Sequence, residues 1–406
     1  MQLIDNIPVF GTPLQNAVEQ MKRCLRPGSL LADVPTSHAV RGALMADHHL
    51  GYSVPIGGVL AYRDAISPSG VGFDIACGNK AVLLDVPADQ VQNHIENIMD
   101  DVFNKISFGV GRRNHEDIEF PEDVDLHPAW GLKAVAPLKE MARQQLGTVG
   151  SGNHYVDLFA DEQDRAWCGV HFGSRGLGHK IATHYIKAAG GRDGIDVEPV
   201  VLPISSGLGE EYLMAIDLAG RYAYAGRDWV CARVAALLGV KIVDEVHNHH
   251  NFAWLEEHSG EKLWVVRKGA TPAFPGQRGF VGGSMGDCSV ILEGAAPSPE
   301  GVLALYSTVH GAGRAMSRTE AAGKRKWIDG RPQRVTEGKV SRAMMEEWIQ
   351  EKGVCLRGAG TDESPHCYKR LPEVLASQGN TVRILHILTP LGVAMAGADE
   401  IDPYKD

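Results

Sequence analysis

The sequence predicts an α+β protein rather than a doubly wound parallel sheet. Helical and strand-like patterns both recur along the 406 residues, but they do not alternate strictly. No Gly-x-Gly-x-x-Gly opens a helix after a predicted strand, and no P-loop is present. No internal repeat, low-complexity tract or long linker interrupts the chain, so residues 1–406 read as one domain.

The elements follow from periodicity. Residues 12–26 read as a helix, with Thr12-Pro13 at its start and Ala17, Val18, Met21 and Leu25 at helical spacing. Val54–Tyr62 and Lys80–Val86 read as strands between Pro/Gly/Ser/Asp-rich loops. Val91–Lys105 and Pro137–Leu146 have helical patterns, and Ala166–His171 is a short apolar strand running into Gly173-Ser174-Arg175-Gly176. The strongest helical signal is Leu208–Leu238. Tyr212, Ala215, Leu218, Ala219, Tyr222 and Ala223 form one stripe there, and Val230, Val234, Ala235 and Leu238 a second. Lys262–Arg267 and Gly279–Leu292 read as strands, Ser341–Gln350 and Leu371–Gln378 as helices, and Thr381–Leu391 as a terminal strand.

Composition narrows the class. With 44% hydrophobic and 22% charged residues, the chain can bury a large core. No stretch approaches the ~20 apolar residues of a membrane span, and the start Met1-Gln2-Leu3-Ile4-Asp5-Asn6 lacks a signal-peptide pattern. A cytoplasmic protein with no membrane partner is expected. The seven cysteines (Cys24, Cys77, Cys168, Cys231, Cys288, Cys355, Cys367) are odd in number and contain no Cys-x-x-Cys, which argues against a disulfide framework or a zinc knuckle. A net charge of −10 requires that any nucleic-acid site be a focused basic patch. Arg314, Arg318, Lys324, Arg325, Lys326, Arg331 and Arg334 form one such concentration, although a run like this also fits a solvated face.

The chemistry concentrates in a few segments. In His310-Gly311-Ala312-Gly313-Arg314, an imidazole precedes two glycines, with Arg318 close behind. Glycines allow close backbone approach and positive φ, exposed N–H groups cradle phosphate, and arginine forks grip it. A histidine there fits three roles: metal ligand, general acid/base, or nucleophile. Seventeen histidines are more than ordinary usage supplies. Asp47-His48-His49, Asp74-Ile75-Ala76-Cys77, Asn153-His154 with Asp157, His171 before Gly-Ser-Arg-Gly, and His247-Asn248-His249-His250-Asn251 are each read as turns at strand ends. A di-metal centre needs about three or four N, O or S ligands per ion, and a thiolate can bridge two ions.

Read in order, these segments resemble the RtcB family of RNA-splicing ligases. The matching stretches are Asp47–Gly51, Gly72–Gly78, Gly147–His154, His171–Gly176, His250-Asn251, Arg267–Thr271, Gly283–Gly286, His310–Arg314 with Met316–Arg318, Pro365–Lys369 and Pro390–Val393, collinear over nearly the whole chain. The resemblance implies a single RtcB-like catalytic domain with a central di-metal cleft. It implies that Asp74, Cys77 and His154 hold one Mn²⁺, and that Cys77, His171 and His250 hold a second. GTP would lie among Asn153, Tyr155, Asp157, Asn251, Gly282, Gly283, Ser284, Met285, Ser289, Gly311, Ala312, Gly313, Tyr368 and Met395. His310 would carry a covalent GMP, and Arg175, Arg314 and Arg318 would grip RNA or nucleotide phosphates. The implied reaction joins RNA 2′,3′-cyclic phosphate or 3′-phosphate ends to 5′-hydroxyl ends, in RNA repair or tRNA splicing. A monomer is expected, with an archease-like activator as a candidate partner.

The chain departs from the family at two points. Met395 or Ala396 stands where the family has a lysine before its final glycine, and Asp157 stands where a glutamate is usual. A thioether cannot donate a charged hydrogen bond, so a relaxed or altered nucleotide preference is expected. Two other readings use the same residues: an Mn²⁺-dependent RNA-end phosphodiesterase that does not seal, and a non-catalytic RNA-end-binding paralogue.

Overall fold

The computed structural model describes residues 1–25, 39–328, 331–397 and 400, with side chains outside 325–334. The side chains of Arg325, Lys326, Arg331 and Arg334 in the basic run therefore lie outside the described residues. A six-stranded sheet has the order β1 (Gln2–Ile4), β2 (Ile7–Val9), β3 (Arg41–His49), β4 (Ile56–Tyr62), β12 (Glu261–Lys268), β11 (Asn251–His258). An eight-stranded sheet has the order β10 (Ile242–His249), β6 (Gly78–Pro87), β8 (Arg165–Phe172), β7 (Tyr155–Ala160), β20 (Val382–Gly397), β15 (Ser289–Gly294), β14 (Arg278–Val281), with β19 (Cys355–Ala359) parallel to β20. Short pairs complete the strands: β13 (Ala270–Pro272) with β16 (Ser307–Val309), β17 (Arg325–Ile328) with β18 (Arg331–Arg334), and β5 (Ala65–Ile66) with β9 (Leu202–Pro203). Mixed pairing and non-alternating order make this an α+β fold, as the patterning predicts.

The eight-stranded sheet curls on itself. Ala81, Phe159, Trp167, Val246, Phe280, Ile291 and Leu388, from seven different strands, meet in one buried cluster. Side-chain amides close the gap between the end strands: Phe280 N donates to Asn248 Oδ1 at 3.0 Å, and Asn79 Nδ2 donates to the Phe280 carbonyl at 2.9 Å. Edge groups on β14 that would otherwise be open to another chain are thereby paired.

The helix Gly207–Leu238 joins the two main cores. Ser206 Oγ accepts from Gly209 N at its start, and Gly239, with φ 69°, ends it in the left-handed conformation that favours glycine. Its first half buries Tyr212, Ala215, Leu218 and Tyr222 in one core. Its second half buries Val230, Val234 and Ala235 against the eight-stranded sheet. These are the two stripes read from the sequence.

Several elements differ from the sequence reading. Val91–Lys105 is two helices, Ala88–Asn93 and Ile95–Lys105, because His94 leaves helical geometry at φ −123°, ψ 14°. Gly279–Leu292 is a hairpin of β14 and β15, because Gly282-Gly283 and Gly286 interrupt the strand and create a loop over 282–288. His247–His249, read as a turn, is the end of β10. The strand β20 runs six residues beyond Leu391, to Gly397. Among the described residues no helix is long and apolar enough to cross a membrane.

Candidate active site

Four adjacent strands deliver the central side chains to one end of the eight-stranded sheet. Cys77 immediately precedes β6, His250 follows β10, His171 is the penultimate residue of β8 and His154 precedes β7. The register pairs Gly78 with both His249 and Phe172, and Tyr155 with His171. Cys77, His154 and His171 offer ligand atoms that all lie within 4.8 Å of one another. Cys77 Sγ lies 3.2 Å from His171 Nε2 and 3.6 Å from His154 Nε2. Asp74 Oδ2 is 3.0 Å from His154 Nε2, and His250 Nε2 is 3.3 Å from His171 Nε2. The five residues Asp74, Cys77, His154, His171 and His250 thus form one cluster.

The donor chemistry of this cluster suits a cation. His171 Nδ1 faces the Asn153 carbonyl at 3.0 Å, which places its proton there and turns the Nε2 lone pair toward Cys77 and His250. Burial holds His171 and His250 well below the ordinary imidazole range, so both rings are neutral. Burial, and then the neighbouring Asp74, push the Cys77 thiol well up. Burial also raises the Asp74 carboxyl, but His154 and Arg175 outweigh it and bring it down to about 2. Lone pairs facing one another, a carboxylate and a thiol are the kinds of donor a metal ion takes, and Cys77, His154 and His171 are placed so that they could hold one.

His310 stands at the edge of this cluster, its ring 4.9 Å from that of His250. Its Nδ1 is 2.6 Å from Asp47 Oδ2, which also accepts from the backbone N–H groups of His310 at 3.0 Å and Gly311 at 3.3 Å. A proton on Nδ1 leaves Nε2 as the free nucleophilic nitrogen. Burial works against the Asp47 charge, yet His310 holds its carboxyl below the usual range. Asp47 was grouped with metal-ligand candidates in the sequence reading; here it orients His310 instead. His48 packs structurally, with Nδ1 on the Met45 carbonyl and Nε2 accepting from Leu14 N.

A cleft of about 830 Å³ opens over these groups. Among the nucleotide-site candidates, Asn153, Tyr155, Asp157, Asn251, Gly282, Gly283, Ser284, Met285, Gly311, Ala312, Gly313, Tyr368 and Met395 line it. Ser289 stands behind the wall, where its Oγ accepts from Gly283 N at 3.0 Å. The Asn251 amide is engaged at both ends, donating to the Asp74 carbonyl and accepting from Gly269 N. Asp157 Oδ1 and the Tyr155 hydroxyl are buried with no hydrogen-bond partner among the described residues. Burial pushes the Asp157 carboxyl well up.

Arg314 and Arg318 also line the cleft, whereas Arg175 packs behind His154, with Nη1 3.1 Å from His154 Nδ1. Glu363, which no sequence signal singled out, organises the arginine wall. It accepts from Arg318 Nε at 3.0 Å and Arg314 Nη1 at 3.4 Å, and the Tyr368 hydroxyl donates to it. The Arg314 guanidinium sits 4.9 Å over the Tyr368 ring. The imidazole run at 247–250 splits: His250 turns to the cluster, while His247 and His249 face Arg227 on the long helix. All seven cysteines are free.

The sequence is similar to those of known proteins. The chain matches the model of a family described as tRNA-splicing ligase RtcB over residues 31–130 and 131–396. It is 30% identical to the tRNA-splicing ligase RtcB of Thermococcus kodakarensis, covering 93% of this chain and 92% of the relative. It is 30% identical to the RNA-splicing ligase RtcB of Escherichia coli, with 85% and 88% covered, and 31% identical to the tRNA-splicing ligase RtcB of Archaeoglobus fulgidus, with 89% of each covered. Family match, near full-length similarity and the His/Cys cluster agree, and the chain belongs to the RtcB family of RNA-splicing ligases.

Proposed function

We propose that this protein joins RNA ends bearing a 3′-phosphate or 2′,3′-cyclic phosphate to 5′-hydroxyl ends, through a covalent nucleotide on His310. The observation that carries the reading is the single Asp47 oxygen on His310 Nδ1, which fixes the tautomer with Nε2 free beside the metal-ligand cluster. His310 Nε2 attacks the α-phosphorus of GTP, an N–P bond forms, and the α–β bridging P–O bond breaks to release pyrophosphate. The RNA 3′-phosphate then displaces His310 and takes the GMP, giving an activated RNA(3′)pp(5′)G end. Attack by the 5′-hydroxyl oxygen forms the phosphodiester and releases GMP, and the hydroxyl proton leaves to solvent or a neighbouring base.

Asp74, Cys77 and His154 would hold one Mn²⁺ and Cys77, His171 and His250 a second. Bound there, the ions would neutralise charge on phosphate oxygens and activate water for opening a cyclic phosphate. Arg314 and Arg318 bind phosphates along the cleft wall, held at fixed spacing by Glu363. Arg175 steadies His154 from behind. We place the protein in the cytoplasm as a monomer, with an archease-like activator as a candidate partner.

Intact-mass spectrometry after incubation with Mn²⁺ and each of GTP, ATP, CTP and UTP tests this reading. A GMP-sized adduct that His310→Ala abolishes is expected, with adducts from other nucleotides reflecting Met395 and Asp157. Loss of the adduct with cyclic-phosphate opening intact in His310→Ala separates the sealing steps from the opening step. No adduct in the unsubstituted chain would overturn the proposal.

A further inference from the structure

The helix Gly207–Leu238 carries an arginine with no exposed surface, Arg227. A guanidinium in a protein stays charged and only donates hydrogen bonds. Arg227 Nη1 donates to the carbonyls of Ala76 at 3.0 Å and Phe172 at 2.6 Å. Its Nη2 meets His249 Nδ1 at 2.8 Å, and its Nε donates to His247 Nε2 at 2.8 Å. None of these four partners is a carboxylate. A buried cation gains more from an anionic partner, so these contacts fit a geometric role better than simple charge pairing.

The identity of the partners points to that role. Ala76 immediately precedes Cys77, Phe172 immediately follows His171, and His249 immediately precedes His250. One planar fork therefore touches the chain neighbours of three clustered ligands. Ala76 sits at φ 59°, an uncommon conformation for alanine that the surroundings must hold in place. Asn251 O accepts from Ala76 N at 2.7 Å on the opposite side. The other two ligands are held differently: His154 Nδ1 lies against the Val149 carbonyl and Arg175, and Asp74 pairs with His154.

We propose that Arg227 is the positioning residue of the Cys77–His171–His250 set, fixing the spacing of one ion's ligands and leaving the Asp74–His154 arm to other contacts. The proposal rests on the two-ion reading above. It makes metal uptake separable: the ion on Cys77, His171 and His250 depends on Arg227, and the ion on Asp74, Cys77 and His154 depends on it far less.

Manganese titration followed by the electron paramagnetic resonance signal of free Mn²⁺ measures both steps, with no nucleotide or RNA present. Partners behind metal ligands typically change affinity about 10–100-fold, so R227K and R227Q are expected to weaken one ion by that factor and the other by less than about threefold. Lysine keeps the charge but not the fork, so R227K should not rescue. His249→Phe removes one arm only and carries the test if the Arg227 variants do not fold; a several-fold weakening of the same single ion is expected. Equal weakening of both ions, no change in either, or one-ion uptake by the unsubstituted chain would overturn the proposal. Two-ion uptake without any His310 adduct would sink the ligase reading and leave the role of Arg227 standing.

Discussion

One carboxylate oxygen, Asp47 Oδ2, holds both the ring and the backbone of the proposed nucleophile. Replacing it with an amide can stabilise the wrong imidazole tautomer without removing bulk. We expect Asp47→Asn to slow adduct formation by about 10²–10⁴-fold, the usual scale for a group that manages proton position, with little change in the nucleotide KM. Stopped-time mass spectrometry reads the rate, and an unchanged rate would show that Asp47 does not set the tautomer. Asp157 offers a second residue-scale test, on stability. Its folded-state carboxyl is raised by burial, so the folded chain holds that proton longer than the unfolded chain does. The resulting stability is fully present below the unfolded value, about 3.9, and is lost as pH rises toward the folded value. Asp157→Asn should therefore raise the melting temperature more at pH 8 than at pH 5. Asparagine keeps a polar group at this position and removes only the cost of ionising it, so equal gains at both pH values would contradict this account.

At the scale of elements, the His310 loop works by being pressed against β3. Gly313 has φ 73°, and a Cβ there would come 2.3 Å from the Asp47 carbonyl oxygen. Gly313→Ala must therefore push the loop away from the residue that orients His310. We expect a stability loss of about 1–3 kcal/mol, together with slowed adduct formation. Denaturant titration and adduct kinetics measured on one preparation check both, and a variant with wild-type kinetics would show that the close approach is dispensable. The glycines of this loop were legible because a turn near phosphate needs them. The span of Gly207–Leu238 was legible to within a residue, through its apolar stripes. The break at His94 was not, since residues 88–105 keep an apolar period across it. Nor was the strand ending in His247–His249, because two imidazoles flanking an asparagine lack the apolar alternation that marks a strand. Glu363 was invisible for another reason: its importance lies in three partners brought together only by folding.

For the whole molecule, the ligand cluster links regions far apart in sequence, from Asp74 to His250. A cation held there binds the folded chain alone, because the unfolded chain cannot assemble the set. Mn²⁺ at one hundred times its Kd should stabilise the protein by about 2.7 kcal/mol, seen as a rise in melting temperature that a chelator reverses. Cys77→Ala, which removes the shared sulfur, should abolish most of that rise. A full rise in the variant would place the binding elsewhere.

The delivery of Cys77, His154, His171 and His250 by four neighbouring strands has a consequence for how the chain can change over time. Adjacent strands are about 4.8 Å apart whatever loops connect them, so the hydrogen-bond ladder acts as the ruler of the site. Lengthening a connection leaves that ruler untouched, whereas slipping one strand by a single residue turns its ligand to the opposite face. The alignment with the Thermococcus ligase extends over 464 positions against a chain of 406. Extra residues of that kind are tolerable between strands and ruinous within them, so the ladder lets the loops of this fold lengthen without moving the ligands.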